Sequence, residues 1–144
     1  MGYVTSDVKA GVEYDPRVDR VYGLANWRAW GEDGLRPAFI LGTSSDRIGT
    51  PYGQAFYGTF SKSLKKETGI PVAPYVGTSY GTFDDKWELI GGGKLFLGER
   101  VSTGVIYDGL NRHHHLDFRI TDTQTLTVLL VAREEAGLAW SIGF

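Results

Sequence analysis

The sequence predicts an all-β protein, an up-and-down antiparallel transmembrane β-barrel of ten strands, or of eight if two shorter strands merge. Three observations predict the barrel. Apolar and polar residues alternate with period two along most of the chain, and a strand places alternate side chains on opposite faces. Turn signals recur about every 10–14 residues, the rhythm of a meander that closes on itself. No stretch of useful length carries the helical period. The 144 residues form a single domain, 1–144, and 20 Gly with 13% aromatics suit a twisted, tightly turned sheet.

The first strand spans about Val4 to Tyr14, with Asp7, Lys9, Gly11 and Glu13 on one face and Val8, Ala10, Val12 and Tyr14 on the other; Asp15-Pro16 begins a turn. The second runs from about Arg20 to Trp30, with Val21, Ala25 and Trp27 opposite Asn26 and Arg28, and Gly31–Gly34 follows as a loop. The third, about Arg36 to Ser45, has faces that pattern alone does not distinguish; Asp46–Gly53 is a longer loop. The fourth, about Gln54 to Leu64, alternates Phe56, Gly58 and Phe60 with Tyr57, Thr59 and Ser61 before the polar turn Lys65–Gly69. The fifth runs from about Val72 to Phe83, and Pro74, which lacks an N–H, belongs near its start or at a bulge. Asp84-Asp85 turns into the sixth, about Lys86 to Leu97, with Trp87, Leu89, Leu95 and Leu97 opposite Glu88 and Lys94. Its Gly91-Gly92-Gly93 invites a sharp bend and is no phosphate loop, lacking the following Lys-Ser/Thr and a helix. In the seventh, Thr103, Val105 and Tyr107 alternate with Ser102, Gly104 and Ile106; Asp108–Arg112 is a loop. The eighth sets Leu116, Phe118 and Ile120 against His113, His115, Asp117, Arg119 and Thr121. The ninth, about Thr125 to Arg133, turns Leu126, Val128 and Leu130 outward, and Glu134-Glu135 leads to the tenth.

Composition excludes several classes. A net charge of −2 gives no case for a nucleic-acid partner. With no cysteine there is no disulfide framework and no thiolate metal site. Nothing approaches ~18 consecutive apolar residues, so no membrane-crossing helix is expected. Met1-Gly2 runs straight into polar sequence without a charged region and apolar core, so no signal peptide is legible; for an exported barrel the sequence would be the mature part.

Alternation fits both a soluble lipocalin-like ligand-binding barrel, apolar face inward, and a membrane barrel, apolar face outward. Two features favour the second. The polar face carries charges of mixed sign in mid-strand, Lys9, Glu13, Arg28, Glu88, Lys94, Asp117 and Arg119, which pair across a narrow lumen as a charge network. Tyr14, Trp30, Trp87 and Tyr107 fall near strand ends, where an interfacial girdle sits.

The tenth strand, Gly137 to Phe144, sets Leu138, Trp140, Ile142 and Phe144 on one face and Gly137, Ala139, Ser141 and Gly143 on the other. This resembles the closing strand of bacterial outer-membrane β-barrels, which end in an aromatic, usually Phe, preceded by apolar residues at every second position. The resemblance covers those residues directly, and the alternation extends it over most of the chain. It implies residence in the outer membrane of a Gram-negative bacterium, contact with membrane lipids or lipopolysaccharide, engagement of the outer-membrane insertion machinery through the last strand, and a monomeric barrel with both termini on the periplasmic side. The loops after the odd strands would then face outside. All are short, which argues against adhesion or receptor work. No cofactor is implied.

The chemistry-bearing constellation is Asn111-Arg112-His113-His114-His115-Leu116-Asp117. His113, His115 and Asp117 share a face near the outer mouth, and three readings fit: a titratable polar mouth, a metal site with a nearby carboxylate, or a histidine base for a serine nucleophile. The last reading rests on some outer-membrane barrels being lipid A-modifying hydrolases with Ser and His two residues apart on one strand; no Ser lies within that reach here. Ser102 is the nearest in sequence and belongs toward the opposite, periplasmic end. The role expected is non-catalytic: a membrane-embedded structural barrel, or a narrow porin-like pore eased by Gly11, Gly77, Gly81, Gly104 and Gly137.

Overall fold

The computed structural model describes residues 7–16, 18–45, 52–131 and 135–143. Ten strands form the wall: β1 Val8–Asp15, β2 Arg20–Trp30, β3 Ala38–Ser45, β4 Gln54–Ser61, β5 Val72–Gly81, β6 Lys86–Phe96, β7 Val101–Tyr107, β8 Arg112–Arg119, β9 Gln124–Val131 and β10 Glu135–Gly143. Each pairs antiparallel with its neighbours in sequence, and β1 pairs with β10 from Lys9↔Gly143 to Tyr14↔Leu138, closing the barrel. Closure gives every strand two partners and leaves no edge unpaired. The count is ten, not the alternative eight.

One helical turn, α1 (Lys65–Thr68), links β4 to β5 and ends at Gly69 in the left-handed region, φ 75°. The fourth strand therefore stops at Ser61 rather than Leu64, and Lys62 reaches from the link to Glu32 and Glu67, at 3.8 and 3.0 Å. The fifth stops at Gly81 rather than Phe83, because 82–85 make the turn, with Asp85 at φ 54°. Pro74 lies near the start of β5, where it costs one ladder donor. The bend expected at Gly91–Gly93 is not a break in register: pairing runs continuously through all three residues to both β5 and β7. The register shift lies instead between β2 and β3, at Arg28/Trp30.

The links after β1, β5 and β7 lie at one rim, here the upper. Those after β2, β4, β6 and β8 lie at the lower. The expected starts of the first strand and of the loop at Asp46, the Glu134 turn and Phe144 lie outside the described residues.

Strand alternation sorts the residues as the sequence suggests. Val12 is 46% exposed, Trp27 51%, Val76 53% and Leu89 64%, and Leu130, Leu138 and Trp140 lie on the same outer wall. The residues buried inside are chiefly polar: Asp15, Thr59, Ser102, His113, His115 and Asp117, with Ala38, Ala55 and Leu129 the apolar ones among the described residues. The usual partition of a water-soluble protein is inverted. A slip of one residue would turn every inner charge onto the wall, so this pattern specifies register.

Aromatic side chains collect near both rims. Trp30 stacks on Phe39 at 4.7 Å and Phe39 meets Phe60 at 4.8 Å near the lower rim; Tyr80 and Trp87 lie 5.4 Å apart near the upper. Trp30 donates its indole N–H to the Pro37 carbonyl at 3.1 Å, which satisfies the one polar atom of the ring.

Candidate functional site

The inner wall of β6, β7, β8 and β9 assembles the densest polar cluster around Asp117. Register places Ser102 and Thr127 directly beside Asp117, and Gly104 beside His115 and Lys94 one step above. The carboxylate is consequently met from every side. Lys94 Nζ lies 2.9 Å, His115 Nδ1 3.2 Å and Ser102 Oγ 3.2 Å from Oδ2, while Thr127 Oγ1 donates to Oδ1 at 2.7 Å. Lys9 lies in the field of both Lys94 and Asp117. A buried carboxylate with this many donors is fully compensated. Gly104 makes the arrangement sterically possible: a Cβ there would strike the Gly93 carbonyl and the His115 ring.

A second cluster closes the upper rim between β7 and β8. His113 is fully buried, and its Nε2 lies 2.7 Å from Asp108 Oδ2. Asp108 Oδ1 accepts from the backbone N–H of Leu110 at 3.0 Å and of Asn111 at 2.7 Å, so one carboxylate both shapes the loop and anchors the imidazole. Burial pushes this carboxyl's pKa up, but the bonds from His113 and the two backbone N–H groups outweigh it and hold it below its ordinary value. Gly109 turns at φ 97°, and a side chain there would run into Glu88.

Elsewhere in the lumen, Glu13 Oε1 accepts from Ser45 N at 2.8 Å, and Lys86 pairs with Glu88 at 3.0 Å. The Tyr57 hydroxyl bonds Asn26 Oδ1. Tyr57 lies over Gly42 and Tyr75 over Gly92; a Cβ on either glycine would meet the ring above it. These two glycines are thus seats for large side chains rather than vacated space, whereas at Gly77 it is the neighbouring backbone of Gly58 and Thr59 that leaves no room for a Cβ. The rings lie along the wall, and a cavity of about 510 Å³ remains, reaching from Asp84, Lys86 and Asp108 at the upper rim down to Ser61, Ala73 and Lys94.

The expected charge network therefore resolves into separate pieces. Lys94 and Asp117 pair, with Lys9 close by; Glu13 and Glu88 stand higher in the lumen, each with its own partner. Arg28 pairs with Asp7 at 2.8 Å near the lower rim, and Arg119 ends β8 at that same rim. His113 and His115 do share the inner face, but each engages a different aspartate. Among the described residues no three His, Cys, Asp or Glu groups converge as metal ligands. Ser102 lies closer to the histidines than its place in the chain suggests, directly across from Asp117. Yet the carboxylate stands between serine and imidazole. A serine nucleophile needs the imidazole in the middle position, where it takes the proton.

Asp108, Thr127, Ser45 and the two tyrosines were not singled out from sequence, and Ser102 was named only as the nearest serine, not as a partner of Asp117. The seventh-to-eighth turn, once its length is known, fixes the pairing that finds Ser102. The Asp108–His113 contact closes within one turn and Thr127 meets Asp117 from the adjacent strand, while Glu13–Ser45 and Tyr57–Asn26 reach across an intervening strand. Comparison with protein-family models, curated proteins and solved structures finds no match.

Proposed function

We propose that this chain is a small bacterial outer-membrane β-barrel, monomeric and non-catalytic, whose lumen, lined by both charged and apolar side chains, serves as a narrow pore. The observation that carries the reading is the inverted partition: a closed ladder with an apolar outer wall around buried Asp, His, Ser and Thr. In water that wall would leave Val12, Val21, Trp27, Phe56, Val76, Trp87, Leu89 and Leu130 exposed together around the barrel, an arrangement that marks an interaction or membrane surface rather than an ordinary monomer's. In a bilayer it is solvated by acyl chains, and closure satisfies every backbone group that lipid cannot. The rim aromatics suit the two interfaces. Lipids or lipopolysaccharide would surround the wall, and the outer-membrane insertion machinery would receive the chain. The upper rim would face outside and the lower the periplasm. The cavity along the lumen supports passage rather than a solid plug. The Asp117-centred arrangement lends no support to a lipid A-modifying hydrolase, since the serine contacts the carboxylate and not an imidazole.

The test is gel mobility of detergent-refolded protein, boiled against unboiled. A closed membrane barrel resists SDS until heated, so a heat-dependent shift is expected, with no folded species when detergent is omitted. A monodisperse, cooperatively folded protein in plain buffer would instead make this a soluble ligand-binding barrel, with the lumen as its cavity.

A further inference from the structure

We propose that the lumen rectifies: its fixed charges are segregated along the axis, so that small inorganic ions cross more readily under one polarity of voltage than the other. This rests on the pore reading above. Among the described residues, Glu13, Asp84, Glu88 and Asp108 line the upper part of the cavity, against Lys86. Asp15, also buried, stands beside Arg20 at the same rim. The lower part holds Lys94, with Lys9 in its field and Asp117 offsetting one charge. Arg28, paired with Asp7, and Arg119 follow toward the lower rim.

Strand direction establishes the order independently on two walls. In β1, which rises, Lys9 is low and Glu13 high; in β6, which descends, Glu88 is high and Lys94 low. Six residues separate Glu88 from Lys94 (94 minus 88). At ~3.3 Å per residue and a tilt of ~40°, that is about 15 Å along the axis. The screening length at physiological salt is about 8 Å, so the two zones act as distinct fields.

Cations gather in the acidic zone and anions in the basic one. With the upper side positive, cations are driven down out of the acidic zone and anions up out of the basic one. Both arrive at the junction, and carriers accumulate there. The opposite polarity draws both away and depletes it. The greater current therefore flows with the upper side positive. The asymmetry fades at 1 M salt, where screening shortens to about 3 Å.

The experiment is single-channel recording in planar bilayers with symmetric KCl at about 0.1 M, using refolded protein that shows the heat-dependent mobility shift. Orientation is read from Leu110→Cys, the only thiol in a chain without cysteine, exposed on the upper-rim loop and labelled from one side by a membrane-impermeant reagent. We expect the current at equal and opposite voltages to differ by about twofold or more, larger with the labelled rim positive. Glu88→Gln should weaken the asymmetry from one zone and Lys94→Glu from the other, each variant first checked for the mobility shift. Linear current, or asymmetry of the opposite sign, overturns the inference and leaves the pore. Asymmetry untouched by both variants overturns its assignment to these charges. No current from heat-shifting protein overturns the pore reading, and the inference with it.

Discussion

Asp117 holds four side chains with two oxygens. Removing it leaves the part-exposed Lys94 ammonium without its counter-charge; a fully buried pair broken from one side costs about 3–5 kcal/mol, and solvent reaching Lys94 lowers this to about 2 kcal/mol. Asp117→Ala should lower unfolding stability in lipid vesicles by roughly that amount, measured by urea titration. The double change Asp117→Leu with Lys94→Met should recover much of the loss, because it removes both charges at once. A second prediction concerns Gly104. Gly104→Val should abolish the heat-shifting species, since its side chain would enter the Gly93 backbone and the His115 ring. Gly23→Val, on the outer wall with nothing within 4 Å of an added Cβ, should keep it. At this scale the sequence was informative about faces and silent about partners. His113, His115, Asp117 and Lys94 were readable as lumenal from alternation alone. That Ser102 and Thr127 close around Asp117 depends on the register of two further ladders, which no single strand records.

In the loop between β7 and β8 one carboxylate ties the turn to the strand that follows. Asp108 bonds two backbone N–H groups of its own turn and the buried His113 on the strand that follows. Because its folded pKa is depressed, its contribution is present above the unfolded value of about 3.9 and is lost as pH falls through the lower, folded value. The urea midpoint of the parent should exceed that of Asp108→Ala from neutral pH down to about 5, with the gap closing below pH 4. A gap that persists unchanged at pH 2 would detach the effect from this carboxylate. Element boundaries show where pattern reading stops. The faces of β3 were not separable because Ala38 and Ile40 line the lumen while Phe39 and Leu41 face out, so both faces are apolar. The helical turn α1 is too short for any period to betray it. The three consecutive glycines of β6 allow a bend, and the ladder runs on through them without a shift of register, with Gly92 making room for Tyr75.

For the molecule as a whole, the question is which solvent meets the outer wall. Val76 sits midway along β5, 53% exposed, between Phe60 and Gly91 on the neighbouring strands. Val76→Arg should cost about 2–4 kcal/mol of unfolding stability in phospholipid vesicles, as an arginine near the bilayer midplane does. On a wall facing water the same substitution would be close to neutral, so an unchanged midpoint would count against the membrane. The ten-strand topology was legible from the spacing of turns, because an up-and-down meander leaves each strand beside its neighbour in sequence. The seam is the exception in another sense. β1 waits for β10, more than a hundred residues away, before either has a second neighbour. Bringing those ends together costs about 3 kcal/mol more chain entropy than closing a hairpin turn. The finished ring keeps no memory of which strand was made first, but its assembly does: until the last strand docks, the growing sheet carries two bare margins, each a row of unpaired N–H and C=O groups.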